Sequence, residues 1–153
     1  MGESIDFLSY MDQCMGLPQT DLRTYSPLTL AYIGDAVDEL VVRTAIVKQE
    51  NAPVQKLHKR TSTLVKASAQ AAIADKIAPY LTEEEQDILR RGRNAKSYTR
   101  AKNASAGDYR HATGLEALMG YLYLQKKMDR VIDLIRIGLD GESLKRIEPH
   151  NAK

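Results

Sequence analysis

The sequence predicts an all-α fold of about six helices, on three observations. Helix-start signals recur along the chain, apolar residues return at spacings of three and four, and no stretch alternates with the period of a strand. Its 153 residues suit one domain, and 43% apolar with 27% charged residues is the balance of a globular chain.

Within residues 1–25, read as a partly helical N-terminal extension, a helix is expected around Ile5–Met11. Ser26-Pro27 then reads as N-cap and first helical residue, because proline lacks only an N–H that would be unpaired there anyway. The helix that follows should run to about Gln49; it is apolar on nearly every side and so expected to be central and covered all round. Asn51-Ala52-Pro53 opens a second helix, with Val54, Leu57, Leu64, Val65, Ala72, Ile73 and Ile77 along one stripe and Pro79 as its stop. Thr82 with Glu85 makes a capping box for a short helix held by Ile88 and Leu89, and Gly92 can close it in the left-handed conformation. Residues 92–107 lack apolar periodicity and read as a long loop. Helix returns from about Asp108 to Lys127, and a last one spans about Asp129 to Leu139, ending at Gly141. The main helical domain is thus placed at 26–141, with a polar tail over 142–153.

Composition excludes several classes. The most apolar stretch, 28–47, contains Asp35, Asp38, Glu39 and Arg43, which a lipid-spanning helix would not carry. No basic run followed by an apolar one opens the chain, so a cytoplasmic location is expected. Cys14 can form no internal disulfide and reads as a small buried or half-buried apolar residue. Phosphate-loop, zinc-protease and serine-hydrolase motifs are missing, and His58, His111 and His150 fall in no ligand spacing. The net charge of +2 hides an uneven distribution: residues 90–111 carry +6 and the remainder −4. That concentration suggests a phosphate-bearing partner.

Two acids sit awkwardly. On a wheel of ~100° per residue, Asp35 is flanked by Leu28, Ala31, Tyr32 and Val42, besides the acids Asp38 and Glu39, and Glu116 by Ala112, Met119, Gly120 and Tyr123. Each has a glycine nearby on its helix face or beside it, Gly34 and Gly120. A glycine costs a helix roughly 1 kcal/mol relative to alanine, which close approach of another backbone would offset. Such acids can form structural salt bridges, for instance to Arg43 or His111. They can equally share a hard cation such as Mg²⁺, which is typically held by one or two carboxylates and serves phosphodiester hydrolysis. The residues alone leave both readings open.

The segment Leu30-Ala31-Tyr32-Ile33-Gly34-Asp35-Ala36-Val37-Asp38-Glu39-Leu40 resembles the core helix of the ribonuclease III catalytic domain. Arg91-Gly92-Arg93-Asn94-Ala95-Lys96-Ser97 and Glu116-Ala117-Leu118-Met119-Gly120-Tyr121-Leu122 resemble the Mini-ribonuclease III branch of that family. The resemblance, over roughly 26–141, implies a homodimeric, Mg²⁺-dependent endoribonuclease of double-stranded RNA that leaves 5′-phosphate ends. It implies a role in maturing the precursor of large-subunit ribosomal RNA, with a ribosomal protein as a further partner to consider. By position it makes Asp35 and Glu116 catalytic and metal-binding, and places Tyr32 at the dimer interface. It also gives the basic segment an RNA-binding role through Arg91, Arg93, Asn94, Lys96, Ser97, Arg100 and Lys102. The family's further acids are replaced by Ala31 and Thr113, and Asp38 stands where an aromatic residue is usual; Asp38 is expected to face solvent. The alternative is a non-catalytic RNA-binding or ribosome-associated module of the same fold, against which the presence of both acids argues.

Overall fold

The computed structural model describes residues 6–95 and 105–139, and these form seven α-helices with no strand among them. The first, α1 (Phe7–Met15), is set by residues the sequence reading passed over. Asp6 accepts from the Ser9 amide at the start, and Gly16, at φ +62°, ends the helix in the left-handed region. It buries no residue, which leaves Cys14 exposed rather than buried or half-buried as expected.

Ser26 and Pro27 act as read. The Ser26 hydroxyl accepts from the amides of Leu28 and Thr29, and α2 (Pro27–Gln49) runs the full expected length. Its environment differs from expectation. Leu30, Ala31, Gly34, Val37, Val42 and Ile46 are buried, but Tyr32 is 81% exposed and Leu40 62%. One face packs inward and the other is uncovered by the described residues. The helix covered all round is instead α6 (Ala106–Leu124), whose Leu115, Ala117, Leu118 and Met119 are wholly inaccessible. Each such leucine contributes about 1.5–3 kcal/mol by leaving water. α6 packs most extensively against α2, then against α5 (Glu83–Asn94) and α4 (Ala67–Ile77).

The single helix expected from Pro53 to Pro79 is two. Between α3 (Val54–Val65) and α4 the backbone at Lys66 turns extended, with ψ 161°. No glycine or proline marks the break, since the turn serves to lay α4 onto α6. Pro79 falls in a single 3₁₀ turn, Ala78–Tyr80. The capping box forms as read, with Thr82 accepting from the Glu85 amide and Glu85 accepting from the Thr82 amide. Arg130 of α7 (Met128–Gly138) then locks it, donating to both Glu85 oxygens at 2.7 and 2.9 Å and to the Tyr80 carbonyl.

Gly92 does not close α5 in the left-handed conformation. The helix continues to Asn94, and a Cβ at Gly92 would lie 2.8 Å from the Cα of Gly114 on α6. This glycine is required by contact between two helices, and the expected loop therefore starts later than position 92. Most of that loop, the end at Gly141 and the tail 142–153 lie outside the described residues.

Candidate active site

The site follows from how α2 and α6 cross. A Cβ on Gly34 would sit 1.7 Å from the backbone oxygen of Glu116, and a Cβ on Gly120 would sit 2.0 Å from that of Leu30. Only two glycines permit this backbone-to-backbone approach. Because Asp35 follows Gly34, and Glu116 lies one turn before Gly120, the crossing brings the two carboxylates together.

They converge on an open recess of about 370 Å³ lined by Leu28, Ala31, Tyr32, Asp35, Tyr109, Thr113 and Glu116. Asp35 is exposed, contrary to the buried setting expected for it, whereas Glu116 is half-buried. A hydrogen bond joins them, and it requires a proton on one carboxyl. Burial pushes Glu116 up to about 8, and the Asp35 charge, the bond to Asp35 and the Asp38 charge act in the same direction; a hydrogen bond from Gln70 opposes them. Glu116 therefore holds the shared proton at neutral pH, since two carboxylates this close resist double ionisation.

Among the described residues neither acid forms the salt bridge named as the alternative. Arg43 is bonded to Glu39 on its own helix, at 2.8 Å from Nε, and no ion pair joins His111 to either acid among the described residues. Ala31 and Thr113 do line the recess, so they occupy positions from which acids would reach it. Neither supplies one: the Thr113 hydroxyl is engaged with the Tyr109 carbonyl at 2.9 Å. Among the described residues no group of three or more His, Cys, Asp or Glu is arranged to hold one metal ion. The donors present are thus two adjacent hard oxygen ligands in an open recess that no basic group among the described residues compensates. That set fits a divalent cation that keeps most of its water.

Asp38 overturns its sequence reading. It is 1% exposed and accepts from Gln70 Nε2 at 2.9 Å, while its other oxygen, Oδ1, has no partner among the described residues. Burial pushes its pKa up to about 6, the Gln70 bond opposes this, and the charges of Asp35 and Glu39 add to it. Gln70 and Tyr109 were not foreseen at the site at all. Gln70 comes from α4, and the missed helix break hid where it would point.

Arg91, Arg93 and Asn94 stand on the last turn of α5, Asn94 exposed and both arginines half-buried. A Cβ on Gly114 would lie 3.5 Å from the Cβ of Arg93, so this turn abuts α6 next to Thr113 of the recess. Lys96, Ser97, Arg100 and Lys102 lie outside the described residues. Tyr32 is the exposed aromatic at the recess rim. No helix among the described residues is long and apolar enough to cross a membrane.

An all-α frame carrying paired acids at a helix crossing matches a known class: the ribonuclease III domain family covers residues 28–127. A Fusobacterium nucleatum protein of known crystal structure superposes with a TM-score of 0.73 at 36% identity, over 81% of this chain and 99% of that one. The Mini-ribonuclease 3 of Thermoanaerobacter sp. is 46% identical over 132 residues, 86% of this chain and 93% of that protein. That of Clostridium tetani is 50% identical over 118 residues, 76% of this chain and 78% of its own. The chain belongs to the Mini-ribonuclease 3 branch of the ribonuclease III family. It is an endoribonuclease of double-stranded RNA, from a family that in general depends on a divalent metal ion.

Proposed function

We propose that Asp35 and Glu116 are the catalytic pair and together hold Mg²⁺. The observation that carries this is their convergence in the open recess at the Gly34–Gly120 crossing, with no basic partner among the described residues to neutralise them. When bound, the cation supplies Lewis acidity toward the phosphate and toward the attacking water. Every other task falls to the chain. Asp35, exposed, presents its oxygens to the side from which a phosphate arrives. Glu116, half-buried, gives up the proton it shares with Asp35 when positive charge replaces it, so that both carboxylates are ionised together. Arg91, Arg93 and Asn94, beside the recess, supply donors to phosphates and 2′-hydroxyls of the duplex, and the resemblance assigns the same role to Lys96, Ser97, Arg100 and Lys102.

The active species in this reading is a homodimer through the uncovered face of α2, supported by the exposure of Tyr32 and Leu40 there. Two copies present two recesses, one for each RNA strand. The substrate we assign is the precursor of large-subunit ribosomal RNA in the cytoplasm, with a ribosomal protein on that RNA as a further partner; the ground for these is family resemblance. The test is incubation of the protein with duplex RNA, with Mg²⁺ or with a chelator. Mg²⁺-dependent cuts bearing 5′-phosphate ends, with single-stranded RNA left intact, are expected. Cleavage that survives the chelator would overturn the metal assignment.

A further inference from the structure

We propose that Tyr109 is the residue by which the recess recognises ribose: its hydroxyl pairs with the 2′-hydroxyl of a nucleotide next to the phosphate being cut. This role rests on the reading of Asp35 and Glu116 as the catalytic pair and adds to it the contact that tells RNA from DNA. Tyr109 lies on α6 with Thr113 and then Glu116 after it. Spacings of four and three put these residues on one face of the helix. On α2 the residues Leu28, Ala31, Tyr32 and Asp35 form the facing stripe, and the recess is the space between the two. At a rise of 1.5 Å per residue, Tyr109 stands about 10 Å along the helix from Glu116. Its place is firmly held. The Tyr109 amide donates to the Ser105 carbonyl at 2.9 Å, and its carbonyl accepts from the Thr113 hydroxyl at 2.9 Å. The residue is half-buried, at the start of the helix that the rest of the fold covers.

A strand drawn to the two carboxylates passes over this lining and needs partners for its sugars as well as its phosphates. Leu28 and Ala31 offer no polar side-chain atom. Asp35 and Glu116 are committed to the cation. Thr113 turns its hydroxyl back onto its own helix. Two phenols are left. Tyr32 is 81% exposed at the rim, where the dimer reading gives it to the partner copy. Tyr109, on the opposite helix, faces the strand. A phenol hydroxyl donates one hydrogen bond and accepts another, and a ribose 2′-hydroxyl does the same, so the two match. Duplex RNA displays its 2′-hydroxyls across the shallow minor groove, while its deep major groove is closed to side chains. Deoxyribose has no such group. Arg91 and Arg93 cannot make this distinction through phosphates, which DNA carries equally.

Tyr109→Phe removes one oxygen and keeps the ring. Its kcat/KM on duplex RNA is expected to fall about 3–10-fold, the worth of one such hydrogen bond. Mn²⁺ binding to the RNA-free protein, read by electron paramagnetic resonance, should stay at the wild-type value. The deciding probe is a set of duplex stems, each carrying a single 2′-deoxynucleotide beside the cut. Wild type should cut one of them about 3–10-fold more slowly than the all-RNA stem, whereas Tyr109→Phe should cut that stem and the all-RNA stem alike. Three results would overturn the proposal: Tyr109→Phe within about twofold of wild type on RNA, deoxy penalties that are the same in both enzymes, or a matching loss of Mn²⁺ affinity. Asp35→Asn, run alongside, separates the two levels. If it cleaves like wild type, the catalytic pair fails and Tyr109 falls with it; if it is inactive while the deoxy penalties are the same in wild type and Tyr109→Phe, only the role of Tyr109 fails.

Discussion

Replacing Gly34 with alanine tests whether the helix crossing makes the site. The added methyl would lie 1.7 Å from the Glu116 carbonyl oxygen and 2.7 Å from the Gly120 nitrogen. Carbon and oxygen need about 3.3 Å between them, so α2 and α6 must separate by roughly 1.5 Å. Both obstacles are backbone, and no side chain can swing aside. Overpacking of this kind costs about 1–3 kcal/mol or more, here at the upper end. Alanine's better helix propensity returns about 1 kcal/mol. A net loss near 2 kcal/mol in a chain of this size lowers the melting temperature by about 4–8 °C. The same separation moves Asp35 from Glu116, and a displacement of ~1 Å between reacting groups can cost about 10²-fold in rate. Gly107→Ala is the control: its Cβ would meet nothing within 4 Å on the first turn of α6, so it should not destabilise. Thermal melts followed by circular dichroism, with cleavage rates per folded enzyme, read both effects. A Gly34→Ala protein as stable and as active as wild type would refute the reasoning.

Three further outcomes are expected. Asp38 has a folded pKa of about 6 against 3.8 for the free side chain, so the fold loses stability as pH rises through that interval and carries the full penalty at neutral pH. Asp38→Asn should therefore stabilise the protein at neutral pH by up to ~3 kcal/mol and flatten its stability between about pH 4 and 6; melts across that range would show it, and an unchanged slope would count against it. Glu85 has the opposite sign: Arg130 holds its pKa below the usual carboxylate range, so its stabilisation is present above that range and fades as pH falls. Arg130→Ala should cost about 2–4 kcal/mol at neutral pH, by leaving a buried carboxylate and the Tyr80 carbonyl without their partner, and should reduce the acid sensitivity of the melt. Neutralising Arg91 and Arg93 together should weaken duplex RNA binding for every sequence and lower the slope of log affinity against log salt by about 1–2; an unchanged slope would remove them from the phosphate contacts.

What could be read from sequence depended on whether the cause was local. Ser26, Pro27, Thr82 and Glu85 act on backbone amides within a turn of themselves, and the helices they open begin where expected. The glycine beside Asp35 was legible for a related reason: a costly residue next to a misplaced acid implies a second backbone, and Glu116 supplies it. Tertiary causes left no such mark. The break at Lys66 has no glycine or proline, because packing of α4 on α6 imposes it. α2 looked central because its apolar residues surround it, yet Tyr32 and Leu40 remain exposed in the single chain. Asp38 was assigned to solvent on the ordinary habit of carboxylates, and its partner lies 32 residues away on a helix whose start was unseen.

Cleavage of a defined precursor stem in Mg²⁺ by wild type, Asp35→Asn and Glu116→Gln, with binding of the same duplex measured in parallel, tests the two-carboxylate site most directly. Each variant removes one carboxylate charge at almost constant volume. With Ala31 and Thr113 unable to substitute, each should lose cleavage by at least about 10³-fold while still binding the duplex. Either variant cutting the stem at the wild-type rate would contradict the two-carboxylate site.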